Sequence, residues 1–215
     1  MKMNFSRLGL PLLTLLFLFG VHKAEAAIMI DDFTDVQEAV GVESTPMNLK
    51  DIGSSSITRI LIAESDTDID VGYGYLDLSN REGQAGTLSV LYKFGNSVTG
   101  IDLDDIAEAL LFNVKAVSVR ADLEIIANDN DSLKFVINNI ATGQYRIGFS
   151  EFTGPEDTFS QLTSLELKFS GDSDWSVLLD GGFSAVPEPS LLALLVIGLL
   201  AFNSVGRKRL AQTKA

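Results

Sequence analysis

The 215-residue chain contains no cysteine and a single histidine, His22. Without thiols it can form no disulfide, so its stability depends on a packed core and on any ions that it binds. His22 lies in an N-terminal segment that we expect to be cleaved off, which leaves the mature chain without histidine or cysteine. Their absence excludes Ser-His-Asp and Cys-His catalysis and the common zinc and copper sites.

Basic residues are also scarce, with 16 Lys and Arg against 29 Asp and Glu. Seven of the sixteen lie in the two terminal segments, so residues 27–190 carry 28 acidic and 9 basic side chains, a net charge of −19. A surface of this charge repels DNA, RNA and anionic lipid, so we expect no nucleic-acid partner. Neutral glycans, cation-bridged anionic polymers and basic partners remain open.

A signal peptide is predicted at residues 1–26. Two basic residues precede an apolar stretch that is too short to span a bilayer. Small residues in an Ala-x-Ala pattern then predict cleavage by signal peptidase before Ala27. The residues that define this cleavage site are Ala24, Ala26 and Ala27.

Three elements follow one another in residues 186–209. A proline-bounded motif comes first, and it is predicted to be extended because proline keeps the residue before it out of the α region. An apolar segment without charge follows over residues 191–206, and a basic cluster ends it. The motif consists of Val186, Pro187, Glu188, Pro189 and Ser190, and the cluster of Arg207, Lys208 and Arg209.

The apolar segment predicts a single transmembrane helix. Its sixteen residues span about 24 Å as a helix, less than the ~30 Å hydrocarbon core, so it is a marginal permanent anchor. The basic cluster holds the C-terminus in the cytoplasm by the positive-inside rule, with residues 210–215 as a cytoplasmic tail. Everything before the helix is therefore expected on the outer side of the membrane.

In motif, order and position, residues 186–209 resemble the PEP-CTERM sorting signal of Gram-negative bacteria. The resemblance implies processing by exosortase, an integral-membrane enzyme. It further implies an inner-membrane-tethered precursor with its domain on the periplasmic side, and then a form at the cell surface or outside the cell. Proteins of this family typically occur in bacteria that make exopolysaccharide, which suggests a role in the biofilm matrix. The alternative is an ordinary tail anchor that follows prolines.

Residues 27–185 remain as one domain, in which apolar and polar residues alternate over short stretches. This alternation is the pattern of half-buried strands. The predicted strands are residues 57–63, 88–94, 117–125, 165–169 and 175–179, with a hairpin at 133–149 and a helix at 102–111. Short strands separated by Gly, Asn and Asp turns predict an all-β fold, an antiparallel, jelly-roll-like β-sandwich.

The two ends of this domain, Ile-Asp-Asp-Phe at residues 30–33 and Leu-Leu-Asp-Gly-Gly-Phe-Ser-Ala at 178–185, also resemble PEP-CTERM proteins. The resemblance implies a single galactose-binding-like sandwich. Because the first and last strands of a jelly roll commonly pair, we expect these two stretches to be neighbours.

Acidic and aromatic residues supply two candidate sites. Asp66, Asp68 and Asp70 recur at every second residue and, in a loop, could converge on a structural Ca²⁺. The EF-hand pattern fails, however, because its glycine and final glutamate are missing at the required spacing. Tyr73 and Tyr75 lie two apart, which places them on one face of a strand where they could stack on glycan rings. Core packing is the alternative role for such aromatics.

These observations predict an exported cell-envelope or matrix protein with a non-enzymatic, structural or adhesive role. No catalytic residue is assigned and no cofactor other than a structural Ca²⁺ is considered. The first alternative is a glycan-binding module. The second is a carboxylate-based polysaccharide hydrolase or lyase, since paired carboxylates can cleave glycosidic bonds.

Overall fold

The computed structural model describes residues 27–52, 55–80, 83, 85–95, 100–155 and 157–187. The signal peptide, the apolar C-terminal segment, the basic cluster and residues 188–190 of the sorting motif lie outside these ranges. No helix within them has the length and hydropathy needed to cross a bilayer. The predicted transmembrane helix thus falls on residues that the structure does not describe.

Alternating apolar and polar residues make the described chain a series of strands. Thirteen strands form, together with 3₁₀ turns at Phe149–Glu151 and Thr158–Gln161. The strands are β1 (Ile28–Asp31), β2 (Gln37–Val40), β3 (Met47–Asn48), β4 (Ile57–Ala63), β5 (Thr67–Gly72), β6 (Tyr75–Asn80), β7 (Gly86–Phe94), β8 (Ala109–Val117), β9 (Ala121–Ala127), β10 (Lys134–Ile137), β11 (Gly143–Gly148), β12 (Ser164–Gly171) and β13 (Ser176–Val186).

The strands form two antiparallel sheets, which confirms the predicted all-β sandwich. Sheet A has the order β11-β8-β13-β6-β5-β2, with β1 attached to β13, and sheet B has the order β10-β9-β12-β7-β4-β3. Strand β12 shows how alternating residues decide which side of a sheet is buried. Its Leu165, Leu167 and Phe169 are buried in the core, whereas Glu166 and Lys168 are only partly covered. The apolar side of each sheet therefore faces the other sheet.

The first and last strands pair, as the sequence predicted. Ile28 lies opposite Ala185 in an antiparallel ladder between β1 and β13. β6 pairs with the first half of β13, through Asp180, and β1 pairs with the second half, from Phe183. One side of β13 is therefore shared by two strands, and the register breaks between Asp180 and Phe183 mark the point of exchange.

The hairpin predicted at residues 133–149 is wrong. β10 pairs with β9 in sheet B, whereas β11 pairs with β8 in sheet A. The connection from Asn138 to Thr142 therefore crosses from one sheet to the other. Both strands show the expected alternation, but a period of two does not say which strand is the neighbour.

The helix at 102–111 and the single strand at 117–125 are also wrong. The backbone N–H of Leu103 donates to the carbonyl of Phe159 at 2.9 Å, and β8 already begins at Ala109. Only a single turn forms, in which the backbone N–H of Ala107 donates to the carbonyl of Leu103 at 2.9 Å, and bonds to distant segments hold the rest of the stretch. The second stretch is divided by a turn, because β8 ends at Val117 and β9 begins at Ala121.

Candidate functional site

The candidate site is a shallow depression of about 340 Å³ on the exposed side of sheet A, beside the β5–β6 hairpin. Tyrosines, carboxylates and one lysine share its lining with apolar groups. Its main lining residues are Val36, Asp70, Tyr73, Tyr75, Asp77 and Lys115.

Tyr73 occupies the tip of the β5–β6 hairpin. Tyr73 and Gly74 have φ values of 55° and 84°, and they connect Gly72 to its partner Tyr75 as a two-residue turn. Left-handed backbone at both central positions is the geometry of a type I′ turn, whose twist matches that of the flanking strands. The Tyr73 side chain is 88% exposed, and Tyr75 is 39% exposed.

The expectation that both tyrosines lie on one face of a strand is wrong in its geometry. Tyr73 belongs to the turn and Tyr75 is the first residue of β6. The turn nevertheless brings both side chains to the same depression. Trp175, by contrast, is fully buried in the core.

Lys115 holds the Tyr75 ring in place from β8. Its Nζ lies 4.3 Å from the ring centroid and donates a hydrogen bond of 3.1 Å to the Tyr75 hydroxyl. A carboxylate oxygen of Asp180 lies 3.8 Å from the same nitrogen. The hydrogen bond to Tyr75, with the Asp180 charge adding to it, raises the pKa of Lys115. The ammonium and the phenol therefore contact each other across sheet A.

A row of polar side chains crosses the same face. Tyr75, Asp180, Asn113 and Gln144 occupy matching positions on β6, β13, β8 and β11. The Asn113 amide donates a hydrogen bond of 2.5 Å to Asp180. With strands spaced about 4.8 Å apart, the row extends for roughly 14 Å. Hydroxyl, carboxylate and amide groups in such a row offer both donors and acceptors.

Two carboxylates face each other on the other side of Tyr75. Asp70 of β5 lies directly opposite Asp77 of β6. Partial burial, and then the charge of Asp70, raise the pKa of Asp77 above 3.8. Like charges at directly opposed positions destabilise a sheet. This pair therefore costs the fold some stability.

The structure does not place the three predicted calcium ligands in one loop. Asp66 lies in the turn before β5 with φ 70°, whereas Asp68 and Asp70 belong to the strand itself. Their Cα atoms are thus roughly 7 Å apart along β5. In the described part of the chain, no group of three or more acidic or histidine side chains is arranged to hold a metal ion.

A buried polar cluster in the core was not predicted from the sequence. The guanidinium of Arg59 donates to Asp31 at 2.7 Å and to Gln37 at 2.8 Å, and the Tyr92 hydroxyl donates to Asp31 at 3.0 Å. Its one visible signal is an arginine in line with Ile57, Leu61 and Ala63, the buried apolar residues on one side of β4. Gln37 and Asp31 lie 22 and 28 residues from Arg59, so the sequence pattern could not name them as its partners.

This cluster is connected to the hairpin tip. Asp31 accepts a hydrogen bond of 2.9 Å from the backbone N–H of Phe33. The carbonyl of Phe33 in turn accepts one of 2.9 Å from Gly74, next to Tyr73. A continuous path of three hydrogen bonds thus joins Arg59 in the core to the exposed turn.

No protein-family model and no curated protein matches this chain. Among solved structures, it is similar to the family 11 carbohydrate-binding module of the cellulosomal cellulase Lic26A-Cel5E of Clostridium thermocellum, with a TM-score of 0.40 and 11% identity over 77% of this chain and 96% of that chain. It is also similar to the family 29 carbohydrate-binding module CBM29_1 of Piromyces equi, with a TM-score of 0.38 and 12% identity over 74% and 95%. The agarase AgWH50C is matched over 66% of this chain and 25% of that chain, with a TM-score of 0.39 and 13% identity. At these scores the likenesses are distant, and they assign no ligand to this chain.

Proposed function

We propose that this protein binds polysaccharide through the depression beside Tyr73. The observation that carries the proposal is the exposure of Tyr73, 88%, on a tight turn that hydrogen bonds hold to the core. Other large aromatics of the domain, such as Tyr92 and Trp175, are completely buried. Exposure of a large aromatic ring to water is unfavourable, and on this turn the ring adds nothing to the packing of the core. The Tyr73 side chain is therefore suited to contact a ligand.

The chemistry of the depression suits a sugar. The C–H face of a pyranose ring packs on a flat aromatic ring, as Tyr73 offers here, and Tyr75, one face of which Lys115 covers, lines the same depression. The row from Tyr75 to Gln144 then supplies donors and acceptors for hydroxyl groups. A row of roughly 14 Å, on an open surface, accommodates a chain of a few sugar units instead of a single one.

We further propose that the protein binds without turnover. The depression is open to solvent, whereas glycoside cleavage benefits from an enclosed site that excludes water. An open face with a stacking platform holds a polymer without distorting it. The structural or adhesive role predicted from the sequence is then the consequence of glycan binding.

Export and sorting complete the proposal. Signal peptidase removes residues 1–26, and an exosortase-type enzyme recognises the motif that begins at Val186. β13 ends at Val186, so in our proposal the motif starts where the sandwich stops. The mature domain is then displayed at the cell surface or in the matrix, where exopolysaccharide is its ligand.

Affinity electrophoresis of the full chain in a sugar-free, non-ionic detergent tests glycan binding. We expect polysaccharide in the gel to retard the wild type, and Tyr73→Ala and Tyr75→Ala to remove most of the retardation. Val136→Ala is the matched control, because Val136 is 38% exposed on β10 of sheet B. Unchanged retardation of both tyrosine variants contradicts the proposed site, and release of reducing ends contradicts the non-enzymatic function.

A further inference from the structure

The charges around the depression are divided between its two sides. On one side, Lys115 is engaged with Tyr75 and Asp180. On the other side, Asp70 and Asp77 face each other, and Glu38 of β2 lies opposite Asp70 in the next strand. Within the described ranges, no lysine or arginine lies within ion-pair distance of Asp70 or Asp77. This side of the depression therefore presents an unmatched negative charge beside the aromatic platform, the rings of Tyr73 and Tyr75.

From this arrangement we infer that the preferred ligand is a glycan with free amino groups, a polymer of hexosamine units. The inference rests on the proposed function and names the ligand class of the same site. A sugar ring stacked on Tyr73 places its substituents beside the two carboxylates. A protonated amine there makes charge-assisted hydrogen bonds to Asp70 and Asp77.

The energetics of the carboxylate pair favour this ligand over the alternatives. Two opposed carboxylates repel each other, and burial together with Asp70 raises the pKa of Asp77. An ammonium between them relieves the repulsion, whereas a neutral hydroxyl relieves it only in part. An anionic sugar adds to it, and the net charge of −19 on residues 27–190 repels such a polymer at longer range.

A basic peptide could supply the same charge, but the platform favours a sugar. Tyr73 projects alone from a turn, and the adjoining surface is shallow and polar. Side chains of a peptide are anchored in pockets, which this depression does not provide. The two ligand classes are separated in the experiment.

The experiment compares glucosamine oligomers with N-acetylglucosamine oligomers of equal length, by calorimetry on the full chain in sugar-free detergent. The pH is chosen so that the amine is protonated and the carboxylates are ionised. We expect the amino oligomer to bind about tenfold more tightly, which corresponds to ~1.4 kcal/mol. In Asp70→Asn and Asp77→Asn, the ratio of the affinity for the amino oligomer to that for the acetylated oligomer falls towards one. The affinity for the acetylated oligomer itself stays the same.

Glu166→Gln is the control, since it removes the same charge from β12 of sheet B and should keep the preference. Equal affinity of the wild type for both oligomers overturns this inference and leaves glycan binding intact. Loss of preference in Glu166→Gln as well overturns it too, because net charge alone would then explain the effect. Tighter binding of an oligolysine peptide, with the same dependence on Asp70 and Asp77, assigns the site to a basic protein. Binding of neither oligomer nor any polysaccharide instead refutes the proposed function.

Discussion

A carboxylate oxygen of Asp31 lies 2.7 Å from the guanidinium of Arg59, and the two side chains are 1% and 0% exposed. The pair joins β1, at the start of the domain, to β4 in the opposite sheet. Burial of two charges is costly, and their attraction offsets the cost only when the remaining polar groups are also satisfied. Gln37 and Tyr92 provide those additional hydrogen bonds.

Asp31→Asn is therefore expected to destabilise the fold severely, by about 3–5 kcal/mol, because it leaves the Arg59 charge buried without its counter-ion. Asp32→Asn is the matched control, since Asp32 is exposed and accepts hydrogen bonds from the backbone and the hydroxyl of nearby Thr34. Asparagine keeps a side-chain acceptor, so the cost should be about 1 kcal/mol or less. Urea unfolding measures both, and equal losses would contradict the importance of the buried pair.

The raised pKa of the buried Tyr92 hydroxyl leads us to expect a loss of stability at alkaline pH. Burial, and then the charge of Asp31, raise its pKa well above 10.0. The folded state thus holds the phenolic proton more tightly than the unfolded state. Stability is retained below pH 10 and falls as the pH rises above it. Tyr92→Phe should lower stability by about 1–2 kcal/mol at neutral pH and flatten the alkaline decline. An equally steep decline in the variant would assign it to other groups.

Asp77→Asn is expected to stabilise the fold at neutral pH, by about 0.5 kcal/mol, because it ends the repulsion from Asp70. The pKa of Asp77 is raised in the folded state, so the wild type loses stability as the pH rises through that pKa. The advantage of the variant should therefore disappear below pH 3.8, where Asp77 is protonated in both states. Thermal unfolding between acidic and neutral pH measures it. A stabilisation that persists at low pH refutes this explanation.

Two neighbouring glycines of β13 offer an internally controlled test of the β1–β13 junction. Gly181 and Gly182 both have positive φ, 72° and 86°. A Cβ on Gly181 meets nothing within 4 Å, whereas one on Gly182 lies 2.6 Å from the carbonyl oxygen of Asp31. Gly181→Ala should cost about 1 kcal/mol, the penalty of left-handed backbone. Gly182→Ala should cost clearly more, because β1 must also move, and equal unfolding midpoints would contradict this.

The sequence predicted best those strands that have one side in the core. The less regular apolar stretch at residues 57–63 coincides with β4, and the alternation at 88–94 lies within β7. Prediction from the sequence failed where a chain segment changes its pairing partner. Neither the crossing from β10 to β11 nor the hydrogen bonds of Leu103 leave a periodic signal in the sequence.

The site was predicted only in part. Tyr73 and Tyr75 could be singled out because they are aromatic residues two positions apart, and the structure brings both to one depression. Lys115 could not, because it is 40 residues from Tyr75 and meets it only across one intervening strand of sheet A, β13. Asp70 was interpreted as a loop ligand, although its alternation with Ile69 and Val71 is that of a strand with acids on the exposed side.

The pairing of Ile28 with Ala185 makes the two ends of the sandwich leave it side by side. Tension applied to these ends therefore pulls across the β1–β13 hydrogen bonds and breaks them one after another, which is the unzipping geometry. In a shear geometry all of them would carry the load together. Among the described strands β1 pairs with β13 alone, whereas β13 is also held by β8, so β1 detaches first. The peeling then reaches Asp31, whose bond to Arg59 ties it to the opposite sheet. This ion pair is thus the point at which the domain begins to resist mechanical extension.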